Sequence, residues 1–275
     1  LITSYQLYSS GIQILASVGE AYGTLFGTSY VRDANGNVVV DANGLPKIST
    51  TNKTLGKFTP DWTGGISNTF SYRSLSLSFL IDASVGGSIF SNTNKTGKYT
   101  GVLANTLSGR DAEHGGLWYY TAAMGNNVRL PESPSYSVSS DGLYYAQVNG
   151  QSTRVYQDGI MVEGVTESGS KNEEVVSAEK YYHRIYSIAE ANVYDASYVK
   201  LREVALSYRL PRLWTQKLHL QEASVTLTGR NLWTIYKSVP NIDPESALTT
   251  GNAQGVEAYS LPTTRSFGVN LSVKF

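Results

Sequence analysis

Residues able to do chemistry are few in this chain and widely spaced. Cysteine is absent, which removes thiolate metal sites, disulfides and Cys nucleophiles. The three histidines, His114, His183 and His219, stand far apart, and none has a partner at metal-ligand spacing. No G-x-S-x-G, Walker or G-x-G-x-x-G run occurs. Asp243 and Glu245 in "NIDPES" have the residue types of a glycosidase acid and base, but two residues apart around Pro244 they read more simply as a turn. Asp33, Asn35 and Asn37 resemble the first ligands of a calcium loop. An EF-hand would need Glu at its twelfth position, where Gly44 stands, so turn chemistry is the simpler reading. The remaining candidates are aromatic: Trp118, Tyr119 and Tyr120 after "HGG", and Tyr144 and Tyr145 further on. Exposed rings of this kind stack on sugars; the other reading is that they pack a loop against itself or against a partner protein. No catalytic, cofactor-binding or metal-binding residue is predicted, and the chain is read as a non-enzyme.

Composition narrows the class. The chain has 275 residues, 41% hydrophobic and only 16% charged, below the usual quarter or so for soluble domains. Twenty Tyr and 26 Gly favour β structure with many turns. Lys+Arg and Asp+Glu are both 22, so the net charge is zero; a nucleic-acid binder would show a basic excess, and a freely soluble protein is poorly served by neutrality. No run of about 18 apolar residues exists for a membrane helix, which leaves barrel strands open. Leu1 is not a start residue, so the chain reads as the back part of something longer or as a processed product.

The elements that must position these residues read as strands. In "GGISNTFSY", Ile66, Asn68, Phe70 and Tyr72 alternate with Gly65, Ser67, Thr69 and Ser71, and after Arg73-Ser74 the period restarts with Leu75, Leu77, Phe79 and Ile81. The second faces are Ser, Thr and Gly rather than Lys and Glu, which suits the inside of a wide barrel. Further strands are expected in "YVKLREVALSYRLP", with a bulge near Lys200 and Arg202, in "HLQEASVTLTGRNLW", and in "RSFGVNLSVKF". The expected spans are about 63–72, 75–84, 198–210, 219–235 and 264–275. From about 85 to 196 no strand pattern persists, apart from a helix in "SAEKYYHRIYS" capped by Ser177. The stretch to about Gly27 has no clear assignment, and the twin "DANG" segment reads as a small hairpin.

Connections alternate short, long, short, long, the rhythm of an outer-membrane barrel with tight periplasmic turns and long extracellular loops. That predicts extracellular loops over about 85–196 and 237–262 and a periplasmic C-terminus. Tyr72, Tyr208, Trp214, Trp233 and Phe275 fall near strand ends, as an interfacial girdle requires. An open edge is not tolerated in lipid, and single-chain barrels use about eight strands or more, so further strands are expected upstream.

Several of these stretches resemble one family. "PDWTGGISNTFSYRSLSLSFLID", "YDASYVKLREVALSYRLP", "LTGRNLWTIYK", "NIDPES" and "LPTTRSFGVNLSVKF" are similar, in order, to the C-terminal third of SusC/RagA-type TonB-linked outer-membrane transporters. "DANGNVVVDANGLP" also resembles a loop these proteins carry before that first strand. The resemblance implies that residues 1–275 are the C-terminal segment of an all-β antiparallel transmembrane barrel of about 22 strands, whose plug and TonB box are not in this sequence. It implies TonB-driven import of oligosaccharides across the bacterial outer membrane with a SusD-like surface lipoprotein as a lid, and expects two transporter–lid pairs to associate. The five aromatic residues then become candidate substrate or lid contacts. The last ten residues, with Gly268, Val269, Leu271, Val273 and Phe275, resemble the signal read by the barrel-assembly machinery. The alternatives are a peptide importer of the same family and a surface all-β carbohydrate-binding module. A surface glycan hydrolase is a third class, without a positioned acid/base pair.

Overall fold

A computed structural model describes residues 3–6, 11–16, 18–131, 134–217, 219–247 and 254–275. The chain is mostly β and divides into two compact units. The sheet unit comprises Gly19–Gly23, Gly56–Ile89 and Tyr194–Phe275. The aromatic unit comprises Leu1–Val18, Thr24–Leu55 and Phe90–Val193.

The sheet unit is built on five strands: β1 (Trp62–Tyr72), β2 (Leu75–Val85), β3 (Tyr198–Arg209), β4 (Glu222–Lys237) and β5 (Ser266–Lys274). They form one open antiparallel sheet in the order β5-β4-β3-β2-β1, so each strand lies beside its sequence neighbour. The β1–β2 turn is two residues long, with Arg73 at φ 53°. Residues 210–221 join β3 to β4 and contain a short helix, Arg212–Lys217, where a plain link was expected. Gln221 N–H donates to the Lys274 carbonyl (2.7 Å), so the chain end lies at the same end of the sheet as the short connections. The bulge expected in β3 is present: its register shifts between Leu201 and Glu203 against both neighbours, and between Val199 and Lys200 against β4.

The aromatic unit corrects the reading of 85–196 as a region without strands. It holds an antiparallel sheet of Tyr136–Val138, Tyr144–Val148, Gln151–Met161, Leu117–Thr121 and Asn127–Arg129, with Val175–Ser177 also paired to Gln151–Met161. Most of these strands are three to five residues long, too short to show a period in sequence. Gly159 is required where it stands: a Cβ there would lie 2.5 Å from the Leu117 carbonyl oxygen and 2.6 Å from Val175.

Two helices complete the unit. Helix α1 (Asn92–Thr100) starts where Ser91 Oγ accepts from Asn94 N–H (3.0 Å) and ends at Gly101, in the left-handed region at φ 68°. The sequence showed no apolar stripe there because its buried side is polar, including Asn94, Lys95 and Lys98. Helix α2 (Ala178–Tyr186) follows Ser177, whose hydroxyl accepts from Lys180 N–H (3.3 Å). The twin "DANG" turns are held by Asp33 and Asp41. Each carboxylate accepts two backbone N–H bonds from residues two and four further on. Asp33 also takes the Asn37 side-chain amide and Asp41 the Arg184 guanidinium, so both serve as turn caps.

Candidate functional site

The register of the five strands sorts their side chains onto two unlike faces. On one face Phe70, Leu77, Leu206, Leu227 and Val269 form a continuous row across the sheet. The next row is Tyr72, Leu75, Tyr208, Val225 and Leu271. Most of these side chains are exposed: Phe70 at 59%, Val269 at 74%. Isolated exposed apolar residues are ordinary, but a contiguous sheet of them marks a surface meant for an apolar environment.

The opposite face is hydroxyl-rich. One row reads Thr69, Ser78, Ala205, Thr228, Gly268, and the next Ser71, Ser76, Ser207, Thr226, Asn270. The hydroxyls bond across strands, Ser71 to Ser76 (2.9 Å) and Ser207 to Thr226 (2.8 Å). The five strands contain nine charged residues: Asp82, Lys200, Arg202, Glu203, Arg209, Glu222, Arg230, Lys237 and Lys274. Strand pairing and contacts assign all nine to the hydroxyl side. Arg230 pairs with Glu203 (2.9 Å) and Arg209 with Glu222 (2.8 Å).

The charges concentrate at the end of the sheet that carries the long connections. Lys200 is 2% exposed, and its amine reaches Asp243 (2.5 Å) and Glu245 (2.6 Å). Arg202 bridges Asp82 (2.8 Å) and Glu245. Tyr198 OH donates to Glu245 (2.8 Å), and Thr263 Oγ1 to Asp243 (2.5 Å). The "NIDPES" carboxylates are therefore in a turn, as read, and each is also paired with a cation. Burial alone would raise the Asp243 carboxyl, but hydrogen bonds from Lys200 and Thr263 outweigh it and hold it down at about 2. Burial also acts to raise Glu245, and the bonds from Arg202, Lys200 and Tyr198 bring it below its usual value. Both carboxylates are taken up by cations, which fits the turn reading better than an acid/base pair. Sequence spacing missed the network because its partners lie 43 and 45 residues apart, joined only when the bulged strand meets the returning loop.

The five aromatic candidates fall in the aromatic unit, and their environments differ. Trp118, with Ala146 and Val155, forms a buried cluster against which Tyr120 and Tyr144 pack. The Trp118 ring stacks on Tyr136 (4.9 Å between centroids) and meets Tyr144 edge-on (5.6 Å). Tyr119 is buried against Tyr156 (5.1 Å) and donates to Asp158 (3.2 Å). Burial, with the Asp158 charge next, pushes its phenol up. Tyr120, Tyr144 and Tyr145 are half-buried. The same unit has an open concavity of about 820 Å³ lined by Tyr181, Tyr182, Lys98, Met161 and Glu163. None of the five aromatic candidates lines it. The only sequence signal for Tyr181 and Tyr182 is the "YY" pair inside the helix capped by Ser177.

Among the described residues no group of three or more His, Cys, Asp or Glu is placed to hold a metal, and no helix is long and apolar enough to cross a membrane. His114 pairs with Asp111 (2.7 Å) and His183 stacks on Tyr99 (4.1 Å). The last strand, β5, carries Gly268, Val269, Leu271 and Val273 and is followed by Phe275, all exposed. It pairs with β4 along one edge, and no described strand lies along the other. Likewise β1 has only β2 beside it among the described strands, so the sheet they form is open at both edges.

No family model matches the sequence. Over 263 residues, 93% of the chain, it is 26% identical to TonB-dependent receptor P3 of Formosa agariphila, and it spans only 20% of that protein. The structure is similar to the RagAB peptide importer in its closed-closed state, with TM-score 0.50 and 18% identity, covering 99% of this chain and 25% of the other. The resemblance to TonB-linked transporters read from the motifs thus holds along nearly the whole chain, and the fold is that of part of such a barrel.

Proposed function

We propose that this chain forms a stretch of wall and loops of a TonB-dependent importer in the bacterial outer membrane, taking up oligosaccharides together with a SusD-like surface lipoprotein. The observation that carries the reading is the two-faced sheet. One face offers lipid a contiguous apolar surface, and the other offers a water-filled or plugged interior hydroxyls and paired charges. The short connections and Phe275 share one end, assigned to the periplasm; the long connections face the cell exterior. The open edges of β1 and β5 meet the remaining strands, and β5 with its terminal Phe275 is what the barrel-assembly machinery engages. The TonB complex couples through a part outside these residues, and two transporter–lid pairs associate. The half-buried Tyr120, Tyr144 and Tyr145 contribute loop contacts to cargo or lid, while Trp118 and Tyr119 hold the loops in shape from within. An all-β binding module is the weaker reading, since a sandwich would bury the face that holds Phe70 and Leu206 against a second sheet.

Peptide cargo is the second reading, favoured by the importer that the structure resembles. Growth on oligosaccharides or on peptides as sole nutrient, with and without the transporter gene, tests both. Loss of growth on glycans alone is expected; loss on peptides alone reassigns the cargo, and unchanged growth on both overturns the importer reading.

A further inference from the structure

The two short connections of the sheet are basic and lie side by side. Residues 73–74 and 210–221 contain Arg73, Arg212 and Lys217 and no Asp or Glu. The long connections, 86–197 and 238–265, carry 15 Asp and Glu against 9 Lys and Arg. The chain is neutral in total, so its charge is divided by connection type. Arg209 N–H donates to the Ser74 carbonyl (2.8 Å), which ties the end of β3 to the β1–β2 turn. Among the described residues, none of the three short-connection cations is paired with a carboxylate.

We propose that this end of the sheet is a seat for anionic glycerophospholipids of the periplasm-facing leaflet. Arg73, Arg212 and Lys217 take the lipid phosphates, and Leu213 and Trp214 stand among the upper parts of the chains. The inference rests on the importer reading, which turns the apolar face to lipid and this end to the periplasm. The side is given by a ring contact. The Arg73 guanidinium lies over the Tyr72 ring (5.3 Å to its centroid), and Tyr72 belongs to the apolar face, in the row of Leu75 and Tyr208. Arg73 therefore stands on the lipid side, unlike the charges of the strands, which lie on the hydroxyl face.

The short helix Arg212–Lys217 supplies the apolar part. It packs against β4, where Ala223, in phase with Val225 and Leu227, is buried. Thr215 is buried as well, while Leu213 and Trp214 are both exposed. An exposed Leu-Trp pair continuous with an apolar face suits the bilayer interface, where an indole keeps its body in the chains and its N–H near water. A guanidinium fork meets two phosphate oxygens at once, and a lysine adds a mobile point charge. Three cations without a neighbouring acid favour a lipid of net negative charge over a zwitterionic one, whose own ammonium cancels the attraction. Salt screens such contacts.

The test uses the full-length transporter in nanodiscs of equimolar phosphatidylglycerol and phosphatidylethanolamine. Native mass spectrometry counts the lipids of each class that stay on the protein, and heat-modifiable mobility on gels reports that each barrel is formed. The wild type is expected to hold several-fold more phosphatidylglycerol than phosphatidylethanolamine, with the excess falling in high salt. Arg73→Gln, Arg212→Gln and Lys217→Gln together are expected to remove most of that excess and leave phosphatidylethanolamine unchanged. Trp214→Ala is expected to lower both classes. If the triple variant does not form a barrel, Arg212→Gln with Lys217→Gln, both at exposed helix positions, decides alone. Equal retention of the two lipids by the wild type, or an unchanged excess in a formed variant, overturns the seat. Displacement of phosphatidylglycerol by added lipopolysaccharide assigns the cations to the other leaflet and also overturns it. Importer failure is separate, since it appears as unchanged growth when the gene is deleted.

Discussion

The two units of this chain sort their large side chains in opposite senses. In the aromatic unit Trp118 is 7% exposed and Val155 is buried beside it, while the chain around them is polar. In the sheet unit Phe267 is 79% exposed, and Val269 and Leu271 follow it outward. Composition cannot explain the contrast, because both units draw on the same alphabet of Tyr, Ser and Gly. Solvent can. A surface in water hides its rings, whereas a surface in lipid has no reason to. The polar groups follow suit: the charges of the strands gather on the hydroxyl face of the sheet, the one that the proposed importer turns away from lipid.

The sharpest way to break this comparison is to empty the aromatic core. Trp118→Ala removes the ring that stacks on Tyr136 and meets Tyr144, and is expected to cost the aromatic unit about 3–5 kcal/mol. Hydrogen exchange should show protection lost around Tyr144–Val148 and kept in β3 and β4; equal loss in both would mean the units are not separately stabilised. Next in size is Leu227→Arg on the apolar face, with an expected penalty of about 2–4 kcal/mol near the bilayer centre. Its neighbour Thr226→Arg, on the hydroxyl face, should cost far less in the same vesicle unfolding experiment. Equal penalties would remove the assignment of faces.

A pH series follows. The Asp243 carboxyl lies at about 2 against its usual 3.8, so the folded rim binds fewer protons than the unfolded chain between those values. The network's contribution is therefore full above about 4 and is lost as pH falls through about 2. Stability of the sheet unit should stay constant from neutral pH down to about 4; a change near neutrality would mean that a group other than Asp243 holds the network. The smallest effect is expected from Ser91→Ala, which removes the α1 cap for about 1 kcal/mol. Its cost should be confined to the unfolding of the aromatic unit.

Much of the sheet was legible because a period of two over nine or more residues is hard to produce by accident. Phe267, Val269, Leu271 and Val273 alternate with Gly268, Asn270 and Ser272, and the sheet runs through them with the faces so assigned. The aromatic unit was not legible in this way. Val128 and Val138 sit in three-residue strands, and α1 buries polar residues, so neither leaves a stripe. That Trp118 and Tyr119 pack the region against itself was one of the two readings the sequence offered; what it could not supply was the partners, Val155 and Tyr156, which come from a strand more than thirty residues away. The bulge was readable as lapsed phase at Lys200 and Arg202. The carboxylates that explain those two cations were visible too, but nothing local joined them.

One feature of the sheet bears on the order in which it assembles. Gly86 N–H bonds Ser197 Oγ (2.8 Å) across 111 residues, and Ala196 N–H bonds the Gly87 carbonyl (3.1 Å). The hairpin of β1 and β2 closes over two residues, but the seam of β2 and β3 must first bring distant segments together. For a chain still unfolded between them, that closure costs about 4 kcal/mol plus a constant, from the logarithm of loop length. Folding of residues 90–193 into their own body beforehand shortens the effective tether. Of the connections between the five strands, the one between β2 and β3 is the longest, so that seam carries the largest loop-closure cost, and the unit that lowers it contributes no strand to the sheet.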